Sequence, residues 1–142
     1  VRQTAGLPTH EHQRRILVPG FYPAVAELTA DERRLVADLP FDEDRSPERL
    51  GLPVLHGEDG YTTLERRGAR PTLDVNGLWG GFQGEGSKTI IPAHAHAKVS
   101  CRLVANQDPD RIFEAFRAHV LAIAPPGIRV DVRQLGGGPI RH

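Results

Sequence analysis

The sequence predicts an α+β fold in which helices pack on one face of an antiparallel sheet. Two segments, residues 73–79 and 94–104, alternate apolar and polar side chains as half-buried strands do. A third segment, residues 108–124, carries apolar side chains at helical spacing. A last alternating run at residues 128–133 completes the order strand, strand, helix, strand. This order is typical of helices that cover one side of a mainly antiparallel sheet.

The first half of the chain predicts one short helix and then a loop-rich segment. Thr29 is followed by two acidic residues, the residue types of an N-cap and a first helical turn, and Pro40 ends the apolar periodicity after residue 39. Residues 41–60 are rich in Pro, Asp, Glu and Gly, and one more turn is predicted at residues 46–49. The predicted helix therefore covers residues 29–39.

The two predicted strands are joined by a glycine-rich connection. In the second strand the odd positions from 95 to 103 are Ala, Ala, Val, Cys and Leu, whereas the even positions are His, His, Lys, Ser and Arg. One face of this strand is therefore predicted to be buried and the other polar. The helix that follows begins at an Asp-Pro pair and ends before Pro125. The whole order matches the trailing part of a ferredoxin-like unit, whose leading strand and first helix are missing or replaced here.

Composition excludes several classes of protein. Eighteen Lys plus Arg balance eighteen Asp plus Glu, so no overall charge attracts nucleic acid or an anionic membrane. The single cysteine, Cys101, cannot form an internal disulfide. No apolar run approaches the roughly 18 residues that a membrane span needs. These features predict a soluble cytoplasmic protein with neither a nucleic-acid nor a membrane partner.

Two motifs look like ligand sites but lack essential parts. Seven histidines are present, yet no acidic residue accompanies them at the spacing of a dinuclear metal site, and His94 with His96 supplies too few ligands. Residues 81–89 have the glycine spacing of a phosphate loop, but Ser87 intrudes before Lys88, and a strand-like segment follows where a helix is needed. The sequence therefore predicts no metal ligand, no nucleotide site and no catalytic residue.

Five longer motifs occur in order along the chain, at residues 16–22, 61–67, 70–77, 81–92 and 100–104. Through these motifs the chain resembles, over about residues 14–136, the lid domain of the aminoacylase and carnosinase superfamily of dinuclear zinc hydrolases, and the carnosinase-like dipeptidase branch in particular. The resemblance implies a lid or dimerisation domain at residues 16–138, after a linker or added leader at 1–15 and before a tail at 139–142.

The resemblance also implies a function. The chain would join a homodimer and close over a separate catalytic domain that holds two zinc ions or similar divalent metals. The full-length protein would be a metallopeptidase that cleaves peptide-type bonds of dipeptides or acylated amino acids, whereas this chain alone would be inactive and hold no cofactor. The alternative is a stand-alone α+β protein-interaction module without catalytic activity.

Two residues match substrate-binding positions of the superfamily. Thr89 matches the lid threonine that reaches the active site of the partner subunit, and Arg102 matches the arginine that binds the terminal carboxylate of the substrate. Both residue types suit these roles, because a hydroxyl offers one donor and two acceptors and a guanidinium binds a carboxylate through two parallel hydrogen bonds.

Other residues have structural interpretations. Trp79 and Phe82 are predicted to be core or dimer-contact aromatics. Cys101 falls on the apolar face of its strand and has no adjacent base, so we expect a small buried hydrophobe. The charged runs at residues 32–34 and 42–44 are predicted to be solvated surface.

Overall fold

The computed structural model describes residues 14–42, 46–53 and 55–137. Thr72–Arg102 forms one compact unit and contains both strands, and a second unit is made of the chain before and after it and contains the helices. The predicted α+β class with an antiparallel sheet is confirmed. The elements are α1 (Ala30–Ala37), α2 (Ser46–Leu50), α3 (Thr63–Ala69), β1 (Thr72–Gly80), β2 (Ala95–Arg102) and α4 (Pro109–Ile123).

Side-chain caps define where three of the helices begin. Thr29 before α1 and Thr62 before α3 each accept a hydrogen bond from the backbone N–H three residues on, and the glutamate at that position accepts one from the threonine backbone. Asp108 caps α4, whose first residue is Pro109. The predicted helices at residues 29–39 and 108–124 are confirmed as α1 and α4, and the turn predicted at 46–49 is confirmed as α2.

Helix α3 was not predicted from the sequence, although Thr62 and Glu65 have the spacing of a capping box. Its seven residues are too few to show an amphipathic period clearly. Within the described ranges, none of the helices combines the length and apolarity that crossing a bilayer requires.

The buried apolar side chains of the helical unit come mainly from an irregular segment. Val18 and Phe21 are 4% and 1% exposed, and Ile112 of α4 is 7% exposed. The Phe21 ring meets Tyr22 edge-on at 5.6 Å between centroids. The short apolar segment before α1 is therefore part of the core.

Strands β1 and β2 form a two-stranded antiparallel ribbon. Its register pairs Thr72 with Arg102 at one end and Gly80 with Ala95 at the other. The prediction of one buried face holds only in part, because Val99 and Cys101 are half-buried whereas the alanines of β2 are exposed.

A β-bulge at Asn76 changes the faces of the ribbon. The register shifts between residues 75 and 77, so Asn76 is an extra residue, and an extra residue moves every later side chain of its strand to the opposite face. Trp79 consequently pairs with His96 on the polar face, while Leu78 pairs with Ala97 on the apolar face. Trp79 is not a core residue, because its side chain is 40% exposed, and its role as a dimer-contact aromatic stays a prediction.

The predicted final strand is also wrong. Residues 128–133 lie within the described chain but have no strand pairing, so the order strand, strand, helix, strand ends at α4. Ile128 instead donates a backbone hydrogen bond to Pro125 at 3.2 Å, closing a turn, and its side chain is 62% exposed. Alternating residue types favour a strand, but a strand also needs a neighbour that accepts and donates its backbone hydrogen bonds.

Candidate functional site

Arg102 ends β2 on the polar face of the ribbon. Its side chain is exposed, and it has no hydrogen bond or ion pair to any residue in the described part of the chain. The nearest acid along that face, Asp74, instead accepts a hydrogen bond from the Thr72 hydroxyl at 2.9 Å. The guanidinium is therefore available to a carboxylate from outside the ribbon.

Thr89 lies in the connection between the two strands, residues 81–94. The connection has no helix or strand, and each of its residues is exposed. Gly81 and Gly86 have φ values of 71° and 83°, the left-handed region that glycine adopts without strain. The Thr89 hydroxyl has no hydrogen-bond partner among the described residues.

The ribbon separates Thr89 from Arg102. Ile90, next to Thr89, lines a groove together with Trp79 and His96 at the connection end of the ribbon. At roughly 3.3 Å per residue, the strand from His96 to Arg102 is about 20 Å long. The two predicted substrate-binding residues of one chain therefore lie at opposite ends of the ribbon and are not brought together.

Aromatic and basic side chains cluster at the connection end of the polar face. The rings of Trp79 and His96 stack with centroids 5.1 Å apart and an angle of 13° between their planes. Lys98 Nζ lies 5.7 Å from the centre of the Trp79 ring. The bulge at Asn76 places Trp79 in this cluster, a placement that strict alternation along β1 could not predict.

This cluster does not have the ligands of a metal site. The rings of His94 and His96 are 6.4 Å apart, and within residues 14–42, 46–53 and 55–137 no three His, Cys, Asp or Glu side chains are grouped to hold a metal ion. A structural zinc site takes four protein ligands and a catalytic one takes three. The described residues therefore do not fit a zinc centre.

Cys101 faces the apolar side of the ribbon. Burial, followed by the negative charge of Asp74, raises the pKa of its thiol to about 11. The thiol is therefore protonated at neutral pH, whereas a cysteine nucleophile needs the thiolate. This environment supports the interpretation of Cys101 as a small hydrophobe.

The helical unit contains an ion-pair network centred on Arg70. This guanidinium donates to both oxygens of Glu58 at 2.9 Å and to Glu27 at 3.3 Å, and it lies 4.3 Å from the centre of the Tyr61 ring. The Tyr61 hydroxyl donates to Glu27. That bond first, and then the charge of Arg70, lower the pKa of Glu27. Each acid here has a cationic or hydroxyl partner, so the network is structural.

Sequence reasoning missed this network and an ion pair next to it. Arg33 belongs to a run predicted to be solvated, and its side chain is 40% exposed, but Arg33 Nη1 also lies 3.0 Å from the carboxylate of Glu65, which is only 5% exposed. The two residues are separated by 32 positions, so no local pattern indicates the pair. Of the other predicted acidic run, Asp42 is exposed and residues 43 and 44 lie outside the described residues.

Comparison with known proteins identifies the family. Residues 20–128 match the family described as "Peptidase dimerisation domain". This chain belongs to that family. The predicted resemblance to carnosinase-like dipeptidases is confirmed, because the similar proteins include a Cys-Gly metallodipeptidase and a Beta-Ala-His dipeptidase.

The curated relatives are much longer than this chain. The Cys-Gly metallodipeptidase dug1 of Schizosaccharomyces pombe is 33% identical over 108 residues, which are 76% of this chain and 23% of that enzyme. The Beta-Ala-His dipeptidase of Rattus norvegicus is 30% identical over 110 residues, which are 76% of this chain and 22% of that enzyme. The chain thus spans less than a quarter of either relative.

Two solved structures contain a part with a similar fold. The M20 family metallo-carboxypeptidase Sso-CP2 from Sulfolobus solfataricus matches with a TM-score of 0.67 and 37% identity, over 80% of this chain and 29% of that one. Human carnosine dipeptidase 1 matches with a TM-score of 0.64 and 26% identity, over 75% of this chain and 23% of that one. Membership of the family therefore rests on both sequence and fold.

Proposed function

We propose that this domain joins two subunits and closes over the substrate of a zinc-dependent dipeptidase or aminoacyl amidohydrolase. The observation that carries the proposal is the exposed and unpaired guanidinium of Arg102, in a chain that belongs to the peptidase dimerisation family. A dipeptide or an acylated amino acid ends in a carboxylate, and a guanidinium matches both oxygens of that group. Arg102 therefore binds the terminal carboxylate of the substrate.

We assign Thr89 and Arg102 to two different active sites. A dipeptide is shorter than the roughly 20 Å of strand from His96 to Arg102, so one bound substrate does not touch Thr89 and Arg102 of the same chain. In a homodimer, each ribbon serves two sites, with Thr89 acting at the active site of the partner subunit. The separation supports this division of roles.

The metal centre belongs to the catalytic domain, not to this one. Relatives named metallodipeptidases support a metal requirement, and we infer two zinc ions or similar divalent metals there. The described residues here group no three potential metal ligands, so this chain alone should hydrolyse nothing and retain no catalytic zinc. A cytoplasmic location for the whole enzyme is part of the same proposal.

Mixed dimers of the full-length enzyme test the assignment of Thr89. One heterodimer joins a Thr89→Ala chain to a chain that lacks its metal ligands, so the only site with metal faces an intact Thr89. The other carries both defects in one chain beside a wild-type partner, so its metal-bearing site faces the alanine. The first heterodimer should be much faster than the second, since only there does Thr89 reach the working site.

Two outcomes would contradict the assignment. Equal activity of the two heterodimers would remove the role of Thr89 in trans, and a faster second heterodimer would place Thr89 at the site of its own subunit. Differently tagged chains, purified in two steps, exclude the homodimers. Ser87→Ala, in the same exposed connection, is the matched control and should leave both heterodimers unchanged.

A further inference from the structure

Gln107 is a buried glutamine in the turn that follows β2. It is 5% exposed, and its backbone N–H donates to the carbonyl of Val104 at 3.2 Å. Asn106, within the turn, has φ 69°, in the left-handed region that asparagine enters more readily than most residues. The chain leaving the ribbon is thus folded into a tight turn at once.

The side chain of Gln107 uses both ends of its carboxamide. Oε1 accepts a hydrogen bond from the Val104 N–H at 3.0 Å, and Nε2 donates to the Phe21 carbonyl at 2.7 Å. Phe21 is the most buried large side chain of the described residues, with 1% exposure. Because an unpaired polar group is costly in a buried position, the glutamine holds the Val104 backbone against the core segment around Phe21.

The hydrogen bond from Val104 to Gln107 lies close in sequence to Arg102, the proposed carboxylate-binding residue. Val104 is two residues after Arg102, and the half-buried Leu103 is the only residue between them. Arg102 itself has no side-chain partner in the described part of the chain. The guanidinium of Arg102 therefore depends for its position on the backbone next to it, and Gln107 restrains that backbone from Val104 onward.

We propose that Gln107 is a positioning residue for Arg102. By fixing the Val104 backbone, its carboxamide sets the point from which the Arg102 guanidinium reaches the substrate carboxylate. The proposal rests on the proposed function of Arg102. Guanidinium and carboxylate meet through two parallel hydrogen bonds, a geometry that tolerates little displacement of either group.

The test compares two substrates of the full-length enzyme, a dipeptide and the same dipeptide with its terminal carboxylate amidated. Gln107→Met keeps much of the side-chain volume and removes both hydrogen bonds, and Gln107→Ala removes the side chain. Each should lower kcat/KM for the free dipeptide about tenfold, mainly through KM, and change that of the amide less than about twofold. In an Arg102→Lys background, Gln107→Met should add less than about a twofold loss.

The controls separate positioning from general damage. Gln134→Ala removes an exposed glutamine whose Nε2 lies 3.4 Å from Asp110, and it should leave both substrates unaffected. Equal losses on the two substrates, or a full additional loss in the Arg102→Lys background, would overturn the positioning role and leave the proposed function intact. If Arg102→Lys does not discriminate between the substrates, the proposed function of Arg102 fails and the Gln107 proposal with it. If Gln107→Ala does not fold, the methionine variant alone decides.

Discussion

The guanidinium of Arg70 and the carboxylate of Glu58 form two parallel hydrogen bonds in a place where Arg70 is only 5% exposed. Burial alone would lower the pKa of Arg70, but the hydrogen bonds and charge of Glu58, together with Tyr61 and Glu27, outweigh it, so the pKa is raised. The rings of Tyr61 and Tyr22 lie 4.3 and 5.5 Å from the guanidinium carbon. The charge of Arg70 is therefore compensated by Glu58, which makes two of its hydrogen bonds, and by Glu27, which makes one.

Replacing Glu58 with glutamine should destabilise the domain by about 1.5–3 kcal/mol, the range for a hydrogen bond to a charged group. The amide keeps the shape of the side chain but removes the charge that the buried Arg70 needs. Urea denaturation of this chain measures the change. The exposed pair of Asp31 and Arg34, 3.0 Å apart, is the control, since Asp31→Asn should cost less than about 1 kcal/mol. Equal losses of stability in Glu58→Gln and Asp31→Asn would show that solvent already screens the charge of Arg70.

Cys101 should react slowly with alkylating reagents. Burial raises its pKa from 9.0 to about 11, so at pH 8 its thiolate is about 100-fold rarer than in the unfolded chain. Iodoacetamide labelling with and without urea measures the ratio, and every labelled thiol is this one because the chain has a single cysteine. Equal rates in the two conditions would show that Cys101 is freely exposed.

The same thiol makes stability depend on pH in a defined direction. Because the folded-state pKa lies above the unfolded one, the thiol stabilises the fold fully below about pH 9, and this contribution is lost as the pH rises towards 11. Cys101→Ala should lose this part of the decline between pH 9 and 11. An unchanged decline would assign it to other groups.

Tyr61→Phe should raise the pKa of Glu27 towards its ordinary value, because the Tyr61 hydroxyl is the largest cause of the lowering. A carboxylate whose folded pKa is lowered stabilises the fold above its unfolded pKa and loses that effect as the pH falls through the folded value. The variant should therefore lose some stability at neutral pH and less at pH 2. NMR titration of Glu27 measures the shift. Tyr22→Phe is the control, since the Tyr22 hydroxyl accepts from the Ile16 N–H at 3.1 Å instead.

Arg102→Lys should weaken transition-state stabilisation in the full-length enzyme by about 1.5–3 kcal/mol, because lysine keeps the charge but loses the planar pair of donors. The loss appears in kcat/KM for a free dipeptide and shrinks for an amidated one, whose carboxylate charge is absent. Arg129→Lys, at another exposed position, should change neither. A loss that is the same for both substrates would contradict carboxylate binding by Arg102.

Local signals account for what the sequence predicted well. The Thr29 cap of α1 and the Asp108-Pro109 start of α4 depend on side chains within three residues of the backbone groups that they satisfy. Both strands of the ribbon show alternation over consecutive residues. The family motifs containing Thr89 and Arg102 are also contiguous, so the candidate site residues could be named without a structure.

Only the tertiary structure decided the contacts, strand pairing and register that depend on residues far apart along the chain. Arg33 pairs with Glu65, which is 32 residues away along the chain, and Gln107 donates a hydrogen bond to the Phe21 carbonyl, which is 86 residues away. The alternating residues 128–133 lack a partner strand, and the bulge at Asn76 turns Trp79 to the polar face because β1 has one residue more than its partner opposite. Capping and alternation are short-range, so the sequence by itself determined α1, α4 and the two strands, and contiguous family motifs named Thr89 and Arg102. Pairing and register came from hydrogen bonds between distant segments, and one residue of register is enough to change which face a side chain occupies.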